Sequence, residues 1–289
     1  MRGARRNLLG KRASDKLTKT LAYVLLTLGG IVMFMPFFWL VGSSLKEPSK
    51  IFILPPQWIP QPARWRNYTD LFTLLPFGIY TRNTLIVVIG STIGTVFTSS
   101  LSAYAFARLR WPGRDTIFVV LLATMMLPGA VTMIPVFIIF KDLRWLDTFL
   151  PLIVPAWCGG GAFFVFLQRQ FFLTLPLDLD NAARIDGASS FRIYTSLILP
   201  LSRPVLAVIA IFSFMGSWND FLGPLIYLNS PTKRTLALGI EALQGLKWGR
   251  DMTELLMAAG VLMIIPALGL FIIAQDVFVR GIVLTGIKG

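Results

Sequence analysis

The residues able to do chemistry in this chain are few. It has no histidine and a single cysteine, Cys158. That rules out imidazole acid–base catalysis, Ser-His-Asp and Cys-His nucleophile systems and any Cys/His metal cluster. One cysteine forms no intrachain disulfide, and Cys158 lies in an apolar run, where it reads as a small core residue. There is no Gly-x-x-x-x-Gly-Lys-Ser/Thr phosphate loop. Gly159-Gly160-Gly161 has no lysine after it and reads as close helix packing. The chain is expected to hold no catalytic residue and no metal. Two features remain. Asp220 is the one acid deep in an apolar run, about 24 Å of helix beyond Arg203. It is either functional or an interfacial acid that caps or pairs structurally. Beside it, Asn219 offers an amide and Trp218 an aromatic face; Trp218 equally suits the aromatic belt of a membrane interface. The second feature is a polar stretch around Asp180–Pro200.

The elements that position these residues follow from the spacing of charge. The 289 residues are 55% hydrophobic and 14% charged, with mean hydropathy +0.70. Soluble domains carry about 25% charged residues. No charge occurs between Lys19 and Lys46, Arg82 and Arg108, Asp115 and Lys141, Asp147 and Arg169, or Glu254 and Asp276. Each gap exceeds the roughly 20 residues that cross a bilayer. A sixth run, from Pro204 to Asn229, is interrupted only by Asp220. The expectation is an all-α polytopic membrane protein with spans at about 20–44, 83–107, 116–140, 148–170, 204–228 and 255–277. Pro36, Pro128, Pro135, Pro155 and Pro266 fall within them and predict kinks packed by neighbours. The basic region runs too far, and the apolar run behind it is too long, for a cleaved signal peptide.

The formal net charge is +13, but the bases sit at the ends of apolar runs rather than on a soluble face, which argues against nucleic acid. With the N-terminus inside, 16 of the 27 Lys and Arg fall on inner segments and 11 on outer ones. Both termini are therefore expected in the cytoplasm. This divides the chain into a basic tail (1–19), a membrane domain (20–279) with a cytoplasmic loop (171–203), and a tail (280–289). The outer segment from about 45 to 82 is proline- and tryptophan-rich and expected to be irregular over its first half.

The cytoplasmic loop reads as two short helices and a turn. Pro176 fits a first turn, and Asp178 and Asp180 favour a helix N-terminus. Ala182 and Ala183 are small enough for a close-approaching surface. Gly187 allows the chain to turn, and Ser189 or Ser190 can cap the second helix. Phe191, Tyr194, Ile198 and Leu201 then share a face, and Pro200 ends the helix near Leu199. Such an amphipathic pair either lies on headgroups or docks into a partner.

The segment Asn181-Ala182-Ala183-Arg184-Ile185-Asp186-Gly187-Ala188, followed by Leu197-Ile198-Leu199-Pro200, resembles the Glu-Ala-Ala loop of binding-protein-dependent ABC importer permeases. The match lies at Ala182, Ala183, Gly187, Leu199 and Pro200; Leu197 stands for the motif's isoleucine and Asn181 for its glutamate. Met126–Pro135, Asn83-Thr84-Leu85, Trp218–Phe221 with Pro224, and the ending Gly281–Gly289 resemble the maltose-type carbohydrate branch, in its second permease. The resemblance covers most of the chain from about Leu21 onward.

The resemblance implies a type I ABC importer permease fold in the bacterial cytoplasmic membrane. Its implied partners are an ABC ATPase dimer, a second permease, an extracytoplasmic solute-binding protein, a sugar substrate and lipid. ATP and Mg would be held by the ATPase and none by this chain. Asp180, Asn181, Ala182, Ala183, Arg184, Asp186, Gly187, Ala188, Ser189, Phe191 and Pro200 would form the ATPase-docking loop. The loss of charge at Asn181 would remove an ion pair with the ATPase, for which Asp180 is a partial substitute. Gly286, Lys288 and Gly289 would approach the same interface. Trp218, Asn219 and Asp220 would line the translocation path. The rivals are an ion-gradient-driven secondary transporter, a membrane scaffold, and a same-family importer for glycerol-phosphate, polyol or oligosaccharide.

Overall fold

The computed structural model describes the backbone of residues 2–245 and 252–285, and the side chains of 16–243 and 252–275. Every regular element among them is helical. Four helices are long and apolar enough to cross a membrane, Lys16–Ser44, Phe77–Arg108, Leu150–Thr174 and Thr253–Gln275, and two bent pairs bring the number to six. The expected fold class stands, with several spans built differently from the uniform rods their hydropathy suggests.

The first helix, α1 (Arg2–Ser44), runs from the basic segment straight into the first span. It belongs to a compact unit of Met1–Leu71 and Gly249–Leu262. After it the chain is irregular apart from a 3-10 turn at Pro48–Lys50, as four prolines require. This stretch is pinned by Asn67, whose amide donates to the carbonyls of Ser44 and Lys46 at 2.9 and 2.8 Å. Trp58 packs edge-on against Trp39, and the buried Lys46 ammonium sits 4.1 Å from the centre of the Trp39 ring.

The other unit takes in Phe72–Trp248 and Met263–Gly289. The helix α2 (Arg66–Leu74) leads to it, and its hub is α3 (Phe77–Arg108). Against α3 pack α6 (Leu150–Trp157), α7 (Ala162–Thr174) and α10 (Arg203–Trp218). The contact face of α3 is built from small residues, Ser91, Gly94, Thr95, Ser99 and Ser100. Small side chains let membrane helices approach closely, and their hydroxyls bond across the seam. Ser91 meets Ser217 at 2.9 Å, Thr98 donates to Ala156 O at 2.9 Å, and Gln168 donates to Ser99 Oγ at 2.6 Å.

The third span departs most from expectation. It is two helices, α4 (Arg114–Thr124) and α5 (Gly129–Asp142), bent by 101°. Pro128 has no amide hydrogen and pushes Leu127 out of helical conformation, so this proline breaks the helix rather than kinking it. By contrast Pro36, Pro135, Pro155 and Pro266 lie inside helices. The fourth span is also interrupted. Gly159, Gly160 and Gly161 all have positive φ and form the joint between α6 and α7. The close packing expected of them is real at Gly160, where a β-carbon would come within 2.6 Å of Thr95 O. Cys158, at the same joint, is exposed and not a core residue.

The fifth span is shorter than the expected 204–228. The helix α10 stops at Trp218, and a separate turn of helix, α11 (Leu222–Tyr227), follows. After α12 (Leu236–Gly245), the last helix, α13 (Thr253–Thr285), carries the sixth span onward into the expected tail. Gly286, Lys288 and Gly289 lie outside the described residues.

Candidate functional site

The loop between the fourth and fifth spans is a helix pair with defined caps. The helix α8 (Leu177–Ile185) starts just after Pro176 with Asp178 and Asp180 in its first turn. It ends in a Schellman turn: Gly187 N donates to Arg184 O at 3.0 Å and Ala188 N to Ala183 O at 2.9 Å. Gly187 has φ +78°, the left-handed conformation that glycine adopts without cost. Of the two serines offered as a cap, Ser189 serves, accepting from the Arg192 amide at 3.3 Å. The second helix, α9 (Ser190–Leu201), then turns by 79° into α10.

Two expectations for α9 are corrected. It does not end at Leu199 but continues to Leu201, breaking at Ser202. A π-turn at Tyr194–Ile198, closed by Leu199 N to Tyr194 O, widens the helix just before Pro200. The proline, which lacks an amide hydrogen, is accommodated there. The extra residue in the turn also shifts the periodicity. Ile193, Tyr194 and Ile198 are buried while Phe191 and Leu201 are exposed, so the expected single face is split.

The buried side of the loop rests on α3 and α7. Tyr194, Ile193 and Ile198 pack with Ala103, Tyr104, Ala107, Val165 and Phe172, and Ala183 and Ala188 lie against this cluster. Ala183 and Ala188 thus support the loop from within, whereas Asn181, Ala182, Arg184, Asp186, Gly187, Ser189 and Pro200 are exposed. Asp180 is the clearest correction. Its carboxylate is 2% exposed and lies 3.5 Å from the Arg108 guanidinium, so it is not a surface acid standing in for Asn181.

The outward side holds apolar residues that the motif reading passed over. Ile185 is 87% exposed and Phe191 68%; Leu177 is exposed as well. Ile185 sits between Arg184 and Asp186 at the tip of α8, and its apolarity between two charges was the available signal. Exposed large apolar side chains at the end of a braced helix pair mark a contact surface, for a partner or for lipid headgroups.

The three residues of the other candidate site fall at the α10–α11 break. Trp218 is 2% exposed, stacks on Phe214 and donates its indole N–H to Met263 O at 3.1 Å. It is a packing residue here and presents no free face to a solute. Asn219 donates to Met215 O at 2.9 Å, closing the end of α10. Asp220 accepts from the Gly223 amide at 3.1 Å, capping α11. Asn219 stays exposed and Asp220 half-buried. The capping role, one of the two readings open for Asp220, is the one its contacts express.

A polar knot that sequence reasoning missed lies between the third and fourth spans. Asp147, at φ 56°, accepts from the amides of Asn229 and Ser230 at 3.0 and 2.9 Å, and also binds the Ser230 hydroxyl and Lys233. The Ser230 hydroxyl, the backbone amides and Lys233 hold its carboxyl well below the usual carboxylate range. Nearby, Asn83 donates to the carbonyls of Thr232 and Arg234, both at 2.9 Å.

Helices in every regular element and up to six candidate membrane spans, among the described residues, define a polytopic membrane protein. Residues 96–284 match the family described as binding-protein-dependent transport system inner membrane component. The sn-glycerol-3-phosphate transport system permease protein UgpE of Yersinia enterocolitica is 31% identical over 267 residues, covering 90% of this chain and 94% of that one. A putative ABC transporter permease protein, ORF2 of Caldicellulosiruptor, is 31% identical over 276 residues, covering 95% and 98%. Among solved structures, a bacterial ABC transporter involved in import of the acidic polysaccharide alginate superposes with TM-score 0.78 at 22% identity, covering 91% of this chain and 97% of that one. The chain belongs to the binding-protein-dependent ABC importer permeases. It is a non-catalytic, multi-pass subunit whose ATPase is a separate protein, and the ion-gradient reading falls away.

Proposed function

We propose that this chain forms half of the translocation pore for a sugar or sugar-derived solute and couples to an ABC ATPase through the loop at 177–201. The observation that carries the coupling is the pairing of a buried, braced base with the exposed Ile185 and Phe191 tip. The carbohydrate class is supported by relatives that serve sn-glycerol-3-phosphate and alginate systems. Phosphorylated polyols therefore stay within it. The partners are a second permease for the other half of the pore, an ATPase dimer that holds ATP and Mg, and a solute-binding protein. A likeness to the alginate transporter captured with its periplasmic binding protein supports the last of these. The excess of Lys and Arg on one set of loops favours both termini, and the docking loop, in the cytoplasm of a bacterial inner membrane.

In operation, ATP would draw the ATPase subunits together, carry the two permeases' loops with them, and switch the pore between inward- and outward-facing states by rigid-body movement. Asn219 and Asp220 remain candidates for the path because they stay accessible at a helix break, where an irregular backbone lines cavities. The test is to tag the chain, extract it gently from native membranes and identify what co-purifies. The complex is then reconstituted into vesicles with its binding protein. ATP-dependent uptake by a complex containing an ATPase and a second permease is expected. Uptake driven by an ion gradient without ATP would overturn the proposal.

A further inference from the structure

The last residue of α3 reaches into three elements at once. Arg108 is 1% exposed. Its Nη2 donates to Phe172 O at 2.7 Å and Leu175 O at 2.8 Å, the closing carbonyls of α7, and its Nε lies 3.5 Å from Asp180 Oδ2 in the first turn of α8. Two tyrosines make the equivalent tie to the second half of the loop. Tyr104 on α3 donates to Ser190 O at 2.9 Å, and Tyr194 on α9 bonds Ser100 of α3 at 2.6 Å, with the two rings 5.1 Å apart. Both helices of the docking loop are therefore fastened to the same end of the same span.

A buried ion pair is a poor way to gain stability, because the cost of removing both charges from water offsets most of their attraction. What such a pair does supply is a fixed geometry: neither charge can leave the other without being stranded in a dry site. Apolar packing, of the kind Ile193, Ile198 and Phe172 provide, has no direction; the two Arg108 bonds to carbonyls do, and they hold its charge beside Asp180.

We infer that Arg108 and Asp180 are positioning residues for coupling, locking α8 to the ends of α3 and α7 so that displacement of the loop moves the second span rather than bending the loop. The inference rests on the docking reading above. Asp180 then acts from inside the loop, through α8, and not by touching the ATPase.

The test uses the full complex with its binding protein in vesicles, measuring solute uptake and ATP hydrolysis in parallel, with hydrogen exchange across 177–190. Asp180→Asn keeps the side chain's shape and removes its charge. The variant complex is expected to assemble and to hydrolyse ATP near the wild-type rate. Solute imported per ATP should fall by roughly tenfold, the size of a typical coupling interaction, while α8 amides exchange faster. An unchanged ratio in the folded complex overturns the inference. Should Asp180→Asn not fold, Arg108→Lys decides. It keeps the charge facing Asp180 and loses the grip on the Phe172 and Leu175 carbonyls, and it must lower the same ratio; a wild-type ratio overturns the inference. Failure of the docking reading shows separately, as a wild-type complex that contains no ATPase.

Discussion

Replacing Ile185 by alanine separates docking from folding, because its side chain is 87% exposed. The change removes three carbon atoms. If the tip is buried on docking, each carbon contributes about 0.8 kcal/mol, or about 2.4 kcal/mol for a fully covered side chain. Allowing for incomplete cover, about 2 kcal/mol remains, which is roughly a 30-fold weaker hold on the ATPase per loop. The permease itself should change by no more than about 0.5 kcal/mol, the usual range for an exposed site. The assay is titration of purified ATPase against detergent-solubilised permease, read by ATPase binding, beside a thermal melt of each permease. Unchanged affinity with unchanged melting would refute the reasoning, since the most exposed apolar residue of the loop would then lie outside the interface. A lowered melting temperature would refute it differently, by showing that Ile185 supports the permease fold.

Three further outcomes follow from local geometry. Gly187→Ala meets open space, so its cost is the left-handed backbone alone, about 1–2 kcal/mol; uptake should fall more than thermal stability does. Gly160→Ala combines positive φ with a β-carbon 2.6 Å from Thr95 O and 2.7 Å from the Ser99 β-carbon. A backbone clash of this kind cannot be relieved by a rotamer change, so a loss above about 3 kcal/mol is expected, seen as poor recovery of folded protein. Asp147→Ala removes its hydrogen bonds to Asn229, Ser230 and Lys233 and should cost roughly 2–4 kcal/mol. The sign of its pH dependence is fixed by the depressed carboxyl. The stabilisation is complete above the ordinary carboxylate pKa of about 3.9 and is lost as pH falls below it. Wild type and Asp147→Ala should therefore differ in melting temperature at pH 7 and converge in strong acid.

The sequence made membrane insertion and span number legible because both depend on long, charge-free runs, and hydropathy reads those directly. It hid the breaks within spans. Pro128 and Pro135 look alike in an apolar run, yet one ends a helix and the other is absorbed. Trp218 likewise reads as a membrane-interface aromatic, yet its indole finds a backbone carbonyl far along the chain. The 177–201 loop was legible in its turn chemistry, since Gly187 and Ser189 act locally. Its two-sidedness was not. Asp180 and Asn181 are neighbours in sequence, but a helix turns about 100° between them, and only the position of Arg108, at the end of a distant span, decides which side faces inward. Arg108 itself read as one of several basic residues marking an inner segment. Nothing in its own neighbourhood announces partners on two other helices.

The central claim is that the 177–201 loop is where this permease meets its ATPase. The most direct measurement places a photoreactive benzoylphenylalanine at Phe191, an exposed aromatic position on the loop, and irradiates native membranes. The account predicts an adduct with an ABC ATPase that disappears when the same group is moved to Ile138, an exposed residue within α5. Adducts at Phe191 with lipid alone, and none with an ATPase, would contradict it.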